Sequence, residues 1–522
     1  MNEIILNNNH SENHSSAMVR PVHLTEPIHQ FLDKLKDKMF QVYHLRGDVN
    51  QYATQRGLPP FVLREIMEVN PLVIGIPKEY GGRGSLMHEN LALLEAASYE
   101  SLALSLTFGI NSALFLQPVA KYASEEAKAT VFKRFIEDRN MGGLMITEPD
   151  YGSDALNMQT FYTEDARHFH LSGKKHWAGL TGWAEYWLLT ARKKSPDGEL
   201  QRDIDFFICD VTQPDQGIKV EEYYDNLGLY QIPYGRNHID VRIPKSHKLQ
   251  PHTTGVKMMI DLLHRSRMQF PGMGMGFINR MLDEGLKHCK ERLVGGKSLF
   301  SYDQVQERLS KLQASFTVCS AMCANSAKKA GLENDLTGIG IEANSVKSVV
   351  TDLMQQAAQS VTQLVGAKAY RNSHIAGRGI TDSRPFQIFE GSNDMLYAQI
   401  SENFLRQMKK LKEKNLFSFM KMHELTSRSA EQMKDLFNFN LDTELPQRKL
   451  VALGQAIGRV VSMDMVHKLG DEGFRKDLVQ NGIDMLQQEI HQLMGTFNLQ
   501  THALVVEDYR ENSSWIKTCL KR

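Results

Sequence analysis

The sequence lacks an excess of charge of either sign. Its 522 residues include 61 Lys and Arg against 61 Asp and Glu, so the formal net charge at pH 7 is zero. A protein that binds nucleic acid through phosphate contacts carries a surplus of basic residues. The balance therefore argues against a nucleic-acid partner.

Cysteine is scarce and long apolar runs are missing. The five cysteines form no CxxC pair and no disulfide-like spacing, which predicts a reduced compartment and no metal site. We expect no apolar run long enough to cross a bilayer. Residues 1–20 lack a signal-peptide core and an Arg-rich transit pattern. We therefore predict a disordered leader over residues 1–24 and a cytoplasmic location.

Common catalytic and nucleotide-binding motifs are also absent. The sequence contains no GxSxG, HExxH, GxxxxGK[ST] or EF-hand loop. The glycines at 272, 274 and 276 do not match a dinucleotide fingerprint, and no strand precedes them, so close helix packing is the favoured interpretation. The loop at 75–84 is rich in glycine but lacks the Lys-Ser/Thr ending of a phosphate loop.

The hydrophobic pattern changes its period along the chain. It is helical over residues 25–142, strand-like with turn residues between short runs over 143–253, and helical again over 254–409 and 410–522. We predict an α+β multidomain fold. Its parts are an N-terminal helical domain, a central antiparallel β-barrel-like domain, a C-terminal helical bundle and an additional C-terminal helical block.

One segment of the bundle combines a carboxylate with aromatic and turn residues. In residues 384–394, RPFQIFEGSND, Glu390 follows an apolar run and precedes Gly391. Desolvation raises the pKa of a carboxyl group and makes it a better base. Taken alone, the segment fits an ordinary loop glutamate at least as well. Ser392 and Asn393 are predicted to cap the helix that follows.

Two short motifs open the β domain. Residues 144–154, LMITEPDYGSD, place a hydroxyl at a strand end before a turn whose N–H groups suit a planar polar ligand. Residues 173–182 place Trp177 among small residues, where its indole could pack on a conjugated ring. Taken alone, the two motifs are better explained as a plain turn and a core aromatic residue.

In combination the motifs resemble the flavin-dependent acyl-CoA dehydrogenase family. TEPxxGSD at 147–154, KxW at 175–177, Glu-Arg at 291–292 and Glu-Gly at 390–391 occur in the family's order, and the IPKEYGG loop at 76–82 is similar to the family's. The resemblance implies an FAD-dependent enzyme with the same helical, β, helical order.

The resemblance, which covers about residues 25–408, implies roles for individual residues. Glu390 is implied as the catalytic base that removes the α-proton of an acyl thioester. Contacts to FAD are implied for Met145, Ile146, Thr147, Gly152, Ser153, Trp177, Gly179, Thr181, Arg292, Gln363, Gly366, Ser392 and Asp394. Contacts to substrate are implied for Ser153, Arg267, Phe389 and Gly391. Arg292, Gln363 and Gly366 are expected to reach the FAD of a neighbouring subunit.

Several positions depart from the family pattern. Gly179 stands where a Thr normally follows the Trp, and Val294 and Gly295 stand where Thr and Phe are frequent. Asp394 replaces a common Gln. Ser266 lies where some subfamilies place their base, so no second glutamate competes with Glu390.

The implied reaction is the dehydrogenation of an acyl-CoA, or another acyl thioester, to the trans-2-enoyl product in fatty-acid metabolism. An electron-transferring flavoprotein is the expected acceptor, and a homodimer or homotetramer the expected assembly. Two alternatives stay open: an acyl-CoA oxidase that uses oxygen, and a non-catalytic binding or assembly protein. Residues 410–522 carry mixed charge and no basic amphipathic stripe, so we expect packing there rather than membrane contact.

Overall fold

The computed structural model describes residues 26–442, 444–499 and 505–520. The leader predicted for residues 1–24 lies outside the described residues. Within them, helices come first, a β-sheet follows, and helices return to the end of the chain. This order confirms the predicted fold class.

The N-terminal region is helical because its apolar residues recur every three or four positions. In the first helix the buried residues are Phe31, Leu32, Leu35 and Met39, which share one face. Between residues 26 and 142 the helices are α1 (Ile28–Phe40), α2 (Val49–Tyr52), α3 (Pro60–Glu68), α4 (Met87–Glu100), α5 (Leu102–Asn111), α6 (Gln117–Tyr122) and α7 (Glu125–Glu137).

One helical stretch corrects the expectation that no segment is long and apolar enough for a membrane. Leu102–Tyr122, which joins α5 to α6 through a π-helical turn, meets that test by length and composition. However, 94% of its most apolar window is buried inside the protein. Its apolar character is accounted for by the core that surrounds it.

The middle of the chain forms one mixed sheet. Its strands are β1 (Gly142–Met145), β2 (Phe161–Glu164), β3 (His168–His176), β4 (Tyr186–Lys193), β5 (Asp205–Asp210), β6 (Lys219–Tyr223) and β7 (Gly235–Pro244). The order is β1-β4-β2-β3-β7-β6, and β5 pairs with β4. The β2–β3, β3–β7, β4–β5 and β6–β7 pairs are antiparallel as predicted.

Two strand pairs correct the prediction of an antiparallel domain. β1 and β2 both run parallel to β4. Alternating side chains and turn residues indicate strands and hairpins, but they carry no information on the direction of strands that are paired across a longer connection.

The C-terminal bundle follows the sheet. Its elements are α8 (Gly255–Arg267), α9 (Phe270–Glu291), the hairpin β8 (Leu293–Val294) and β9 (Lys297–Ser298), α10 (Asp303–Lys329), α11 (Gly340–Val365), α12 (Ile375–Ser383) and α13 (Asn393–Leu411). A Cβ added at Gly276 would come within 2.0 Å of the Glu95 carbonyl oxygen, and one at Gly272 within 2.7 Å of the Leu91 oxygen. The glycine triplet therefore lets α9 pack closely on α4, as predicted.

The remaining helices form the C-terminal helical block. They are α14 (Leu416–Met422), α15 (Ser427–Ala430), α16 (Lys434–Phe437), α17 (Gln447–Asp471), α18 (Lys476–Asn498) and α19 (Trp515–Cys519). α17 packs on α11 and α13, and both α17 and α18 pack on α10. The block is therefore joined to the bundle through its two longest helices.

Candidate functional site

Glu390 lies in a tight turn between α12 and α13. Both Glu390 and Gly391 have positive φ, 53° and 95°, a conformation that costs a residue with a side chain about 1–2 kcal/mol. The main chain is held by Arg267, whose guanidinium donates to the Glu390 carbonyl oxygen at 2.7 Å and to Asn344 Oδ1 at 2.7 Å. The resemblance implied a substrate contact for Arg267, and the structure shows that its side chain contacts the backbone of the predicted base, Glu390.

The two carboxylate oxygens of Glu390 differ in their surroundings. Oε1 accepts a hydrogen bond from the Ser266 hydroxyl at 2.8 Å. Oε2 is buried and has no hydrogen-bond partner among the described residues. Burial raises the pKa of Glu390, while the Ser266 hydrogen bond and the positive charges of Arg267 and Lys347 oppose that rise. The result is a carboxylate that is a stronger base than an exposed one.

Lys347 also contacts the Glu390 turn, although the sequence motifs did not single it out. Its buried ammonium donates to the Gly391 carbonyl oxygen at 2.8 Å and to Asn393 Oδ1 at 2.9 Å. Burial lowers its pKa to about 7, although Glu390 favours the charged form. The only sequence signal is a lysine within the apolar run of α11, where residues 346, 349 and 350 are buried valines.

Aromatic rings form one side of the Glu390 turn. The rings of Phe386 and Phe389 lie 4.9 Å apart, and Phe270 lies 5.9 Å and 6.0 Å from them. Phe386 and Phe270 are buried, and Phe389 is half-buried. Phe389 directly precedes Glu390 in the chain, so this cluster places apolar surface beside the turn.

Ser392 and Asp394 occupy the start of α13 without the predicted side-chain cap. Ser392 is the N-cap residue, but its hydroxyl caps no backbone N–H, and Asp394 is exposed in the first turn. Asn393 instead turns inward and donates to Asp352 at 2.8 Å and to Thr351 at 3.0 Å. The helix start was predicted correctly, but the capping interaction is wrong because the amide is used by the buried network of α11.

The strand end at 145–147 lies beside residues 175–177. Lys175 Nζ donates to the Ile146 carbonyl oxygen at 3.1 Å, and the His176 N–H donates to the Thr147 oxygen at 2.9 Å. Met145 is buried at the end of β1, whereas Ile146 and Thr147 are half-buried. The two β-domain motifs recognised separately in the sequence are therefore in direct contact.

A buried ion pair anchors the turn that follows this strand. Glu148 accepts from Lys175 Nζ at 2.7 Å and from the Thr160 N–H at 3.0 Å. Burial alone would raise the pKa of Glu148, but the Lys175 charge and its hydrogen bonds outweigh it and lower the pKa. Burial lowers the pKa of Lys175 to about 8 despite Glu148. Beyond this anchor, Gly152 and Ser153 are exposed, with open space where a Gly152 side chain would project.

Trp177 presents its ring to the surface. Its side chain is 51% exposed, its φ is 56°, and its ring centroid lies 4.5 Å from that of Tyr224. Thr181 faces the other way, because it is fully buried and donates to the Ala178 carbonyl oxygen at 2.8 Å. A side chain at Gly179 would come within 2.7 Å of Ile110. The structure therefore does not bring Thr181 to the surface that Trp177 occupies.

The implied intersubunit residues form a separate, exposed group. Arg292 ends α9 before the β8–β9 hairpin, Gln363 lies in the last turn of α11, and Gly366 follows with φ 73°. All three are exposed. The hydrogen bonds and ion pairs of the described residues do not link this group to the Glu390 turn.

Comparison with protein families gives three consecutive matches. The N-terminal, middle and C-terminal domain models of acyl-CoA dehydrogenase match residues 38–139, 143–241 and 253–405. A probable acyl-CoA dehydrogenase of Bacillus subtilis is 24% identical over 359 residues, which are 68% of this chain and 93% of that protein.

Solved structures share the fold. An acyl-CoA dehydrogenase of Bacillus anthracis complexed with FAD superposes with a TM-score of 0.73 at 17% identity and covers 90% of this chain and 86% of its own. A prolyl acyl carrier protein oxidase gives a TM-score of 0.65 at 15% identity, covering 72% and 98%. Since 409 residues precede the C-terminal block, coverage of 90% of 522 residues extends into that block.

Proposed function

The chain belongs to the acyl-CoA dehydrogenase family, and we propose that it removes the α- and β-hydrogens of an acyl-CoA and passes the electrons to an electron-transferring flavoprotein. It is an FAD-dependent enzyme of the acyl-CoA dehydrogenase type. The proposal is carried by the carboxylate of Glu390, which is buried with one oxygen that has no hydrogen-bond partner among the described residues. An unpaired buried carboxylate costs folding free energy and is characteristic of proton-transfer sites.

The β-domain motifs fit FAD. Gly152 has open space at its Cβ position, and Trp177 exposes half of an indole whose backbone is held at positive φ. We propose that residues 145–147 contact the ring system, that Gly152 and Ser153 lie at the phosphates, and that Trp177 covers one ring face. Bound FAD supplies an acceptor for the hydride that leaves the β-carbon.

Glu390 is proposed to take the α-proton. Its ionised form is held by the Ser266 hydroxyl, and the desolvation that raises its pKa favours the neutral acid that results from proton transfer. The N–H of Glu390 is proposed to polarise the thioester carbonyl, which stabilises the negative charge that develops there. Arg267 holds the carbonyl oxygen of Glu390 and Lys347 holds that of Gly391, so the turn presents the base in one orientation.

Assembly into a homodimer or homotetramer is part of the proposal. Leu293 and Val294 of the β8–β9 hairpin are exposed, and they adjoin Arg292 at the end of α9. Exposed apolar residues beside a proposed cofactor contact suit a surface covered by a second subunit. A cytoplasmic location and a role in fatty-acid metabolism remain proposals of the same kind.

An oxidase is the second candidate function. The shared fold with a prolyl acyl carrier protein oxidase supports it, since the same scaffold also carries chemistry in which oxygen is the acceptor and the acyl group is borne by a carrier protein. The fold alone does not separate the two candidates.

The deciding experiment is anaerobic titration of the FAD-loaded protein with acyl-CoA thioesters of graded chain length. Bleaching of the flavin absorption by at least one thioester is expected, and no bleaching across the panel would contradict the proposal. Admitting air then separates the candidates. Rapid return of colour with rapid release of hydrogen peroxide indicates an oxidase. Slow return of colour with equally slow release of peroxide, and fast return when an electron-transferring flavoprotein is added without air, indicate a dehydrogenase. A protein that takes up no FAD would instead favour a non-catalytic role.

A further inference from the structure

We propose that Arg459, in the C-terminal helical block, is a positioning residue for the Glu390 turn. This inference rests on the proposed function of Glu390 as the base. It gives residues 410–522 a part in the reaction that goes beyond the packing role expected from their sequence.

Arg459 lies at the meeting point of three other helices. Its buried guanidinium pairs with Asp352 of α11 at 3.0 Å and with Glu489 of α18 at 3.0 Å, and it donates to the hydroxyl of Tyr397 in α13. An arginine with three polar partners in a buried setting holds each of them in a fixed orientation.

Asp352 connects Arg459 to the catalytic turn. Its Oδ2 accepts from Arg459 and from the Tyr397 hydroxyl, the latter at 2.6 Å. Its Oδ1 accepts from Gln387 Nε2 and from Asn393 Nδ2, both at 2.8 Å. Gln387 and Asn393 stand three residues before and three residues after Glu390, so one carboxylate holds both sides of the turn.

Asn393 extends the same network to the turn itself. Its Oδ1 accepts from Lys347 Nζ at 2.9 Å, and that ammonium also donates to the Gly391 carbonyl oxygen at 2.8 Å. Arg459, Asp352, Asn393 and Lys347 thus form a continuous chain of polar contacts that ends on the carbonyl oxygen of Gly391, the residue after Glu390.

The packing of α17 fixes where Arg459 stands. A Cβ at Gly454 would lie 1.9 Å from the Tyr397 carbonyl oxygen, so α17 and α13 approach as closely as their backbones allow. The Ser401 hydroxyl also donates to the Leu450 carbonyl oxygen at 2.7 Å. Because the backbones of α17 and α13 are in contact at this crossing, the position of α17 is fixed. The helix position therefore places the Arg459 guanidinium beside Asp352.

The turn needs such support because Glu390, a residue with a side chain, is held at positive φ. Without Arg459, Asp352 loses its main cation, and its carboxylate is free to turn away from Gln387 and Asn393. A displacement of a catalytic group by about 1 Å can lower a rate by about a hundredfold, so a partial loosening of the turn is expected to cost about tenfold.

The test compares Arg459→Gln and Tyr397→Phe with a control in the same block, Arg428→Gln. Arg428 pairs with Asp471 on the surface and contacts none of the network residues. We expect Arg459→Gln to lower kcat about tenfold with KM for the best thioester unchanged, because Arg459 does not touch substrate. Hydrogen exchange over residues 387–396 is expected to become faster in Arg459→Gln, to a smaller degree in Tyr397→Phe, and not in Arg428→Gln.

Wild-type kcat and wild-type exchange in both network variants would overturn the inference. Faster exchange with unchanged kcat would overturn it as well, since the turn would then loosen without consequence for the reaction. Tyr397→Phe removes one hydroxyl and keeps the ring, so it still tests whether the network positions the Glu390 turn if Arg459→Gln does not fold. If no thioester bleaches the wild-type flavin, the proposed function fails, and the exchange data still decide whether Arg459 holds the turn.

Discussion

The Glu390 turn and the surface around Trp177 differ in which of their groups are bonded within the protein and which face outward. At the turn, side chains from α8 and α11 fix successive carbonyl oxygens and one carboxylate oxygen, and aromatic rings pack beside them. Around Trp177, the anchor is internal, an ion pair between Glu148 and Lys175, while the indole and the adjoining Gly152 face outward.

The difference matches the two tasks proposed for these regions. A base must be held in one orientation before the substrate binds, so its contacts are made within the protein. Holding Glu390 in this way requires a strained backbone conformation at positive φ. A surface that covers a large planar cofactor must keep ring faces and backbone groups available, so only the Glu148–Lys175 ion pair beneath it is buried. The following variants test this division, from the largest expected effect to the smallest.

Replacing the base gives the largest effect. Glu390→Gln keeps the size of the side chain but removes proton transfer, so turnover is expected to fall by about 10²–10⁴-fold. Steady-state rates with the best thioester measure the loss, and the absorption spectrum measures retained FAD. Because the turn and the Trp177 surface share none of the described polar contacts, FAD content is expected to stay at the wild-type level. Loss of the cofactor together with activity would break the comparison and give Glu390 a structural role.

Removing the buried anchor is expected to affect folding rather than turnover. Lys175→Met leaves the Glu148 carboxylate buried without its cation, which typically costs about 3–5 kcal/mol in the free energy of unfolding. The adjacent Lys174→Met is the matched control, because Lys174 is exposed and, among the residues that the structure describes, pairs only with Glu221. Chemical denaturation of both variants measures the difference. Equal stability of the two would show that the β-domain turn does not depend on the ion pair.

Removing the exposed indole is expected to weaken cofactor binding alone. Trp177→Ala is predicted to reduce FAD affinity about tenfold, since an aromatic contact contributes about 0.5–1.5 kcal/mol beyond the area it buries. Trp177→Phe, which keeps a ring, is expected to lie between Ala and wild type. The melting temperature without FAD is expected to change little, because half of the side chain is in contact with solvent. The FAD affinity is measured by removing FAD from each variant and titrating it back. Unchanged affinity in Trp177→Ala would contradict the proposed contact.

The sequence indicated the local features of both regions but not the contacts between distant helices. The strand and the turn follow from turn residues and short-range pattern, whereas the roles of Trp177 and Glu390 were implied by the resemblance of the combined motifs to the family. Lys347, Asp352 and Arg459 escaped notice because a charged residue in a helical pattern is ordinarily assigned to the solvated face. Only tertiary packing shows that these charges point at one another. The direction of β1 and β2 relative to β4 was missed for a related reason, since pairing across long connections leaves no mark on the alternation of side chains.

The smallest effect concerns the pH dependence of the base. The Ser266 hydroxyl donates to Glu390 and lowers its pKa, against the larger rise caused by burial, so Ser266→Ala is expected to raise that pKa further. The acid limb of the kcat profile then moves to higher pH, by less than about one unit for a single neutral hydrogen bond, while the plateau at high pH stays. Ser345→Ala is the control, because the buried Ser345 hydroxyl donates to the Ile341 carbonyl oxygen and has no bond to Glu390 in the described part of the chain. Ser266→Ala is expected to shift the pH dependence of stability in the same direction. A carboxyl whose folded pKa is raised stabilises the fold fully below its unfolded pKa and loses that contribution as pH rises through the folded pKa. In Ser266→Ala this loss is therefore expected at higher pH. An acid limb that moves to lower pH, or that moves equally in the control, would show that this hydroxyl does not stabilise the ionised base.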